Sequence, residues 1–144
     1  MALWFECRIR YDKTMENGSV RKVTEPYLVD ALSFTEAEAR ITAEMQPFIS
    51  GGDFTIPAIK KTTIAEVFYN EGCDKWWSVK YNIIIPDEKS GKERRTPVYV
   101  MVQANTQQGA TDNFNEGMKG TMVDYEIEKI AETKIMDVYP YSPK

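Results

Sequence analysis

Two stretches decide how this chain folds: Asp53–Phe68 reads DFTIPAIKKTTIAEVF and Asp124–Tyr139 reads DYEIEKIAETKIMDVY. Laid over each other at an offset of 71 residues, they share aspartate at 53/124, an aromatic at 54/125 and isoleucine at 56/127, 59/130 and 64/135. Thr62/Thr133, Glu66/Asp137, Val67/Val138 and Phe68/Tyr139 complete the match. Both are rich in β-branched and aromatic residues, which suit a pleated, half-buried surface, so both are expected to be long strands.

The segments upstream recur too. Trp4–Tyr11 (WFECRIRY) matches Trp76–Ile83 (WWSVKYNI), and Leu28–Met45 matches Met101–Met118, at offsets that drift by one residue each time. Such drift is what short insertions in surface connections produce, because loops absorb length cheaply. The chain therefore reads as one domain made of two copies of one unit, residues 3–70 and 75–141, with Asn70–Asp74 as the linker.

Composition bounds the class. With 144 residues, 42% hydrophobic and 28% charged, folding can bury roughly two-thirds of the unfolded surface, so no disulfide or metal staple is required. The formal charge is −4, spread evenly between the halves, and a weakly acidic chain lacks the long-range attraction to phosphate on which most nucleic-acid binders rely. No apolar run approaches a membrane span and no leader opens the chain, so the expected setting is cytoplasmic, with no membrane partner. Cys7 and Cys73 stand at non-equivalent places and are expected as free thiols.

In chain order, Phe5, Cys7, Ile9 and Tyr11 alternate with polar neighbours, the period of a strand with one apolar face. Asn17-Gly18 supplies positive φ angles for a tight turn, and the chain returns along Val23, Tyr27, Val29 and Ala31. Pro26 cannot donate to a ladder, which places that strand at an edge or a bulge. Ser33-Phe34-Thr35-Glu36 forms a capping box, opening a helix with Phe34, Ala37, Ile41 and Met45 on one stripe, closed by Pro47 and Gly51-Gly52. The second copy repeats the order: a strand with Trp77, Val79, Tyr81 and Ile83 inward, a turn around Asp87–Lys92, a strand with Val98, Val100 and Val102, and a helix from Thr106.

In both long strands the apolar alternation slips between 56 and 59, and between 127 and 130, which demands a bulge or bend. A break is expected near Lys60 and near Ala131, dividing each strand into two arms. Hairpin, helix and strand with a right-handed crossover give the order 2-1-3, antiparallel throughout. The fold class is α+β: two fused ββαβ repeats with pseudo-twofold symmetry, a mainly antiparallel sheet and one helix per repeat, the far arms being the pieces available for exchange.

Three runs carry a resemblance. Pro26–Arg40 (PYLVDALSFTEAEAR), Gly117–Met122 (GMKGTM) and Ile135–Tyr141 (IMDVYPY) resemble a family of uncharacterised small proteins, a domain of unknown function, common in Bacteroidetes and their mobile elements. The resemblance covers nearly the whole chain, implies a bacterial, cytosolic setting and carries over no catalytic residue.

The chemistry the sequence permits is narrow. There is no histidine, which excludes imidazole catalysis, Ser-His and Cys-His nucleophile pairs and histidine zinc sites. Two cysteines cannot close a four-cysteine zinc site, no nucleotide-loop pattern is present, and no metal or cofactor is expected. Gly117-Met118-Lys119-Gly120-Thr121 follows a helix and reads as its C-terminal cap in preference to a phosphate loop. A carboxylate enzyme built on Asp53, Asp124, Glu66 and Asp137 is formally open, but duplication explains their recurrence equally well.

The outward face of the two hairpins is the most suggestive feature. It carries Trp4, Arg8 and Arg10 in the first copy, Trp76 and Lys80 in the second, and Leu28, Tyr99 and Met101 beside them; large apolar groups on a solvated face call for a cover or a partner. Three readings compete: the tryptophans are core, covered by packing of the units or by strand exchange; the face is a protein-partner or homo-oligomer interface; or it is a single-stranded nucleic-acid platform. In the last, bases stack on Trp4, Trp76 and Tyr99, and phosphates are held by Arg8, Arg10, Lys80, Arg94 and Arg95, against the net acidity of the chain. The expectation is a non-enzymatic binding or accessory module.

Overall fold

The computed structural model describes residues 3–49 and 53–140. Its α+β fold comprises two compact units, one formed by Met1–Thr63 with Lys134–Lys144 and the other by Ile64–Thr133. The described residues of each build a mostly antiparallel four-stranded sheet and one helix.

Unit 1 opens with the hairpin β1 (Trp4–Thr14) and β2 (Val20–Asp30), followed by α1 (Phe34–Met45) and β3 (Phe54–Lys61). β3 lies antiparallel beside β1, with Cys7 opposite Ile59, giving the expected 2-1-3 order. The hairpin loop is wider than a two-residue turn. Met15 and Ser19 close it by a backbone bond of 2.7 Å, Gly18 alone takes the positive φ of 84°, and the Asn17 side chain accepts from the Ser19 N–H. Ser33 caps α1 as its hydroxyl accepts from the Glu36 N–H at 3.1 Å. Ala37, Ile41 and Met45 pack beneath the helix with Phe5, Cys7, Ile9 and Val29. Phe34 stays half exposed at 54%, its ring edge-on to Phe5. The expected closing glycines, 51 and 52, lie outside the described residues.

Unit 2 contains β4 (Ile64–Phe68), β5 (Trp76–Pro86), β6 (Glu93–Gln103), α2 (Gln107–Met118) and β7 (Tyr125–Glu132). Its hairpin turn is closed from Asp87 to Lys92, with Gly91 at positive φ. Thr106 caps α2 by accepting from the Gly109 N–H. The helix ends at Met118, and Gly120 takes a φ of 83° just beyond it, the left-handed conformation that glycine adopts without steric cost at a helix end. Ala110, Phe114 and Met118 meet Trp77, Val79, Tyr81, Val100 and Val102 in the core.

The bulges fall where the period slips. Between the pairs Arg8/Ala58 and Arg10/Thr55, β3 carries one residue more than β1; between Lys80/Lys129 and Tyr81/Ile127, β7 carries one more than β5. Pro57 lies in the first bulge and Glu128 is the extra residue of the second, so a proline is not required to make one. The break itself comes slightly later than expected, after Lys61 and after Glu132. There Thr62 and Thr133 turn inward, each bonding through N–H and hydroxyl to the carbonyl of Trp4 or Trp76 at 2.8–2.9 Å.

The far arms change units, as expected, but they do not pair as expected. Each sheet gains a fourth strand that runs parallel, so neither is antiparallel throughout. β8 (Val138–Tyr139) pairs with Leu28–Val29 of β2 in unit 1, and β4 pairs with Tyr99–Val102 of β6 in unit 2. The chain therefore changes unit at 63/64 and at 133/134. The segment Asn70–Asp74, expected as the linker, is instead a turn inside unit 2, where the Asn70 and Asp74 N–H groups donate to the side chains of Gln103 and Asn105.

Candidate functional site

On the sheet face of unit 2 opposite α2, β5 presents Ser78, Lys80 and Asn82, β6 presents Tyr99, and β7 presents Glu128, Lys129 and Ala131. Six of these, Asn82 excepted, line a recess of about 410 Å³. The bulge shapes it, because one extra residue brings the consecutive Glu128 and Lys129 to the same recess; in a regular strand neighbours point to opposite faces.

Lys80 Nζ lies 2.6 Å from Glu128 Oε2, and Asn82 Nδ2 donates to the other carboxylate oxygen at 3.2 Å. These contacts hold the Glu128 carboxyl below its ordinary range and raise Lys80, each chiefly through the bond they share. Lys80 also sits over the Tyr99 ring, 5.7 Å from its centroid, within cation–π range. Farther along, Arg95 pairs with Glu126 at 2.7 Å, and Lys75 with Glu132 at 3.8 Å.

The expected site residues part company. Trp4 and Trp76 are buried, 5% and 3% exposed, so neither ring is offered to solvent as a stacking platform. Tyr69 stands edge-on to Trp76. Leu28 and Met101 are buried as well, each beside a register partner in the parallel fourth strand, Val138 and Val67. Arg8 and Arg10 remain exposed on β1, Arg8 3.4 Å from Glu6.

Lys80 and Tyr99 are direct cross-strand neighbours. Arg94 and Arg95 separate, since Arg95 shares the parity of Tyr99 and Met101, whereas Arg94 shares that of Val98, Val100 and Val102, which face α2. A single basic cluster of Lys80, Arg94 and Arg95 does not form. Sequence reasoning missed Glu128, Asn82 and Glu126; the slip in the period announced the bulge that carries Glu128, but its partner Lys80 follows only from the strand register.

Elsewhere, the Cys7 thiol is pushed up to about 11 by burial, aided by the nearby Glu6 carboxylate, and both cysteines are free. Among the described residues no three His, Cys, Asp or Glu side chains gather as metal ligands, and no helix is long and apolar enough to cross a membrane.

The model of the domain of unknown function DUF4494 matches residues 3–141. This chain belongs to the DUF4494 family. No curated protein and no solved structure matches it. In this DUF4494 member the recess on β5–β7, with the ion pairs of Lys80 and Arg95, is the candidate site.

Proposed function

We propose that this chain is a non-enzymatic binding or accessory module, and that its partner is a protein, a second copy of the chain included. One observation carries the preference for protein over nucleic acid. On the helix-free face of unit 2 the basic groups Lys80 and Arg95 each stand within ion-pair distance of a glutamate. A phosphate backbone would have to displace those carboxylates and then face them, whereas a protein surface of mixed charge complements both signs. Tyr99, 36% exposed beside the pair, is the kind of amphipathic side chain enriched at protein interfaces.

The non-catalytic part of the proposal is supported by the absence of histidine and by a Cys7 thiol that stays protonated at neutral pH, which leaves it a poor nucleophile. A cytoplasmic setting belongs to the same proposal, in keeping with two free thiols. So does the reading of the two halves as one ββαβ unit written twice.

Sedimentation velocity over a range of concentrations tests the self-association form: the wild type is expected to show a concentration-dependent shift that Tyr99→Arg abolishes. A wild type that stays monomeric throughout leaves only a foreign protein partner. Single-stranded DNA and RNA are expected to migrate unretarded at low salt. Retardation that Lys80→Glu removes would replace the protein reading with the nucleic-acid one.

A further inference from the structure

Cys7 and Ile9 pack beneath α1, so the alternate residues of β1 form the opposite face of the unit 1 sheet, a row of Glu6, Arg8, Arg10 and Asp12. The register sets Pro26 and Ala58 beside Arg8, and Thr24 and Thr55 beside Arg10. Arg8, Arg10, Thr24, Thr55 and Ala58 are all exposed. Two guanidinium groups thus stand over a bed of small, uncharged side chains.

Unit 2 neutralises the same face from its edge strand. There Glu126 pairs with Arg95 at 2.7 Å and Glu128 with Lys80 at 2.6 Å. At the offset of 71 that aligns the two edge strands, β3 has Thr55 and Pro57 in their place, so unit 1 keeps the basic groups and lacks the counter-ions. Arg10 forms no ion pair among the described residues, and Arg8 has only the exposed 3.4 Å contact with Glu6. An exposed pair of that kind is weak, and an incoming anion displaces little.

A guanidinium fork matches carboxylate and phosphate alike, so the surroundings select the partner. Trp4 is buried, and proline, threonine and alanine offer bases no ring on which to stack. Glu6 and Asp12 close the row at its two ends: a phosphate chain running past the arginines meets carboxylates, whereas a short acidic segment ends before them. We propose that the outward face of β1 and β3 docks an acidic segment of a partner protein. Two carboxylates about 7 Å apart, the spacing of alternate residues in an extended chain, engage Arg8 and Arg10. This rests on the chain acting as a binding module, and not on the recess of unit 2.

Fluorescence polarisation on the full chain tests it with three labelled probes: a peptide of alternating glutamate and serine, its glutamine counterpart, and oligothymidylate. The acidic peptide is expected to bind at low salt and to weaken as salt is added, and the glutamine peptide to stay free. The double variant R8Q/R10Q should weaken the acidic peptide by about tenfold, and Thr55→Glu, which restores the carboxylate that Glu126 supplies in unit 2, by about threefold. Both change exposed side chains and should keep the melting temperature. Tyr99→Arg, which probes the recess of unit 2, should leave binding unchanged. No binding of the acidic peptide, equal binding of the glutamine peptide, or undiminished binding in the folded double variant would overturn the proposal. So would a loss in Tyr99→Arg as large as in R8Q/R10Q, or oligothymidylate held more tightly than the peptide and released by R8Q/R10Q, which assigns the face to nucleic acid. Should the double variant fail to fold, unchanged binding in Thr55→Glu would overturn it alone.

Discussion

Cys7 shows how much a single buried group asks of its surroundings. It is fully buried, and its thiol is raised from 9.0 to about 11, so the folded chain holds a proton that the unfolded chain releases above pH 9. Its contribution is therefore complete below pH 9 and is lost as pH rises toward 11, on the order of 3 kcal/mol in all. Val79 occupies the corresponding position in unit 2. Cys7→Val is accordingly expected to fold, and urea titrations at pH 9 and pH 10 should show a smaller loss of stability than in the wild type. At neutral pH a thiol reagent should label Cys73, which is partly exposed, and spare Cys7. Gly117 is a second such residue. A Cβ there would stand 3.2 Å from the Phe68 ring, so Gly117→Val should destabilise unit 2 by about 1–3 kcal/mol through overpacking, measured by chemical denaturation.

At the scale of elements, the helices are clamped by large side chains that have no alternative place to go. Phe114 is fully buried and touches Phe68, Tyr81 and Tyr125; Phe114→Ala is expected to cost about 3–5 kcal/mol, read as a fall in the denaturation midpoint. The turn threonines make a subtler prediction. Thr62→Val and Thr133→Val each delete one hydroxyl bond to a tryptophan carbonyl and should each cost about 1 kcal/mol.

These elements were legible in the sequence to different degrees. Alternation and caps marked the hairpins and helices because they are local signals: Ser33 with Glu36, Cys7 with Ile9. The slip between Ile56 and Ile59 marked the bulges for the same reason. What stayed hidden is non-local. No spacing along the chain shows that Lys80 meets Glu128 or that Val138 lies beside Leu28, since both depend on which strands pair. Parity within β6 is a local signal too, and it sets the consecutive Arg94 and Arg95 on opposite faces.

At the scale of the molecule, each sheet is finished by a strand from the other half of the sequence. The first 72 residues contain β1, β2, α1 and β3 but lack β8, and they carry a β4 whose partner β6 lies beyond them. Expressed separately, residues 1–72 and 73–144 are expected to give incomplete units with weak, uncooperative unfolding. Mixing them should restore a cooperative transition. If either fragment alone unfolds as sharply as the intact chain, the fourth strands are dispensable. A charge in the slot offers a second route: Val138 is buried, and Val138→Asp should cost about 2–4 kcal/mol in unit 1.

The position of β8 sets a timetable for the ribosome. Domains ordinarily mature in the order of their synthesis, the N-terminal one first. Here the opposite holds: unit 2 has every strand it needs once Glu132 is free of the exit tunnel, while unit 1, translated earliest, waits for Val138 and Tyr139 with the outer side of β2 bare. Its nascent hairpin is thus the segment most in need of a chaperone, and ribosome-bound chains arrested before residue 138 should be cut by protease in unit 1 and spared in unit 2.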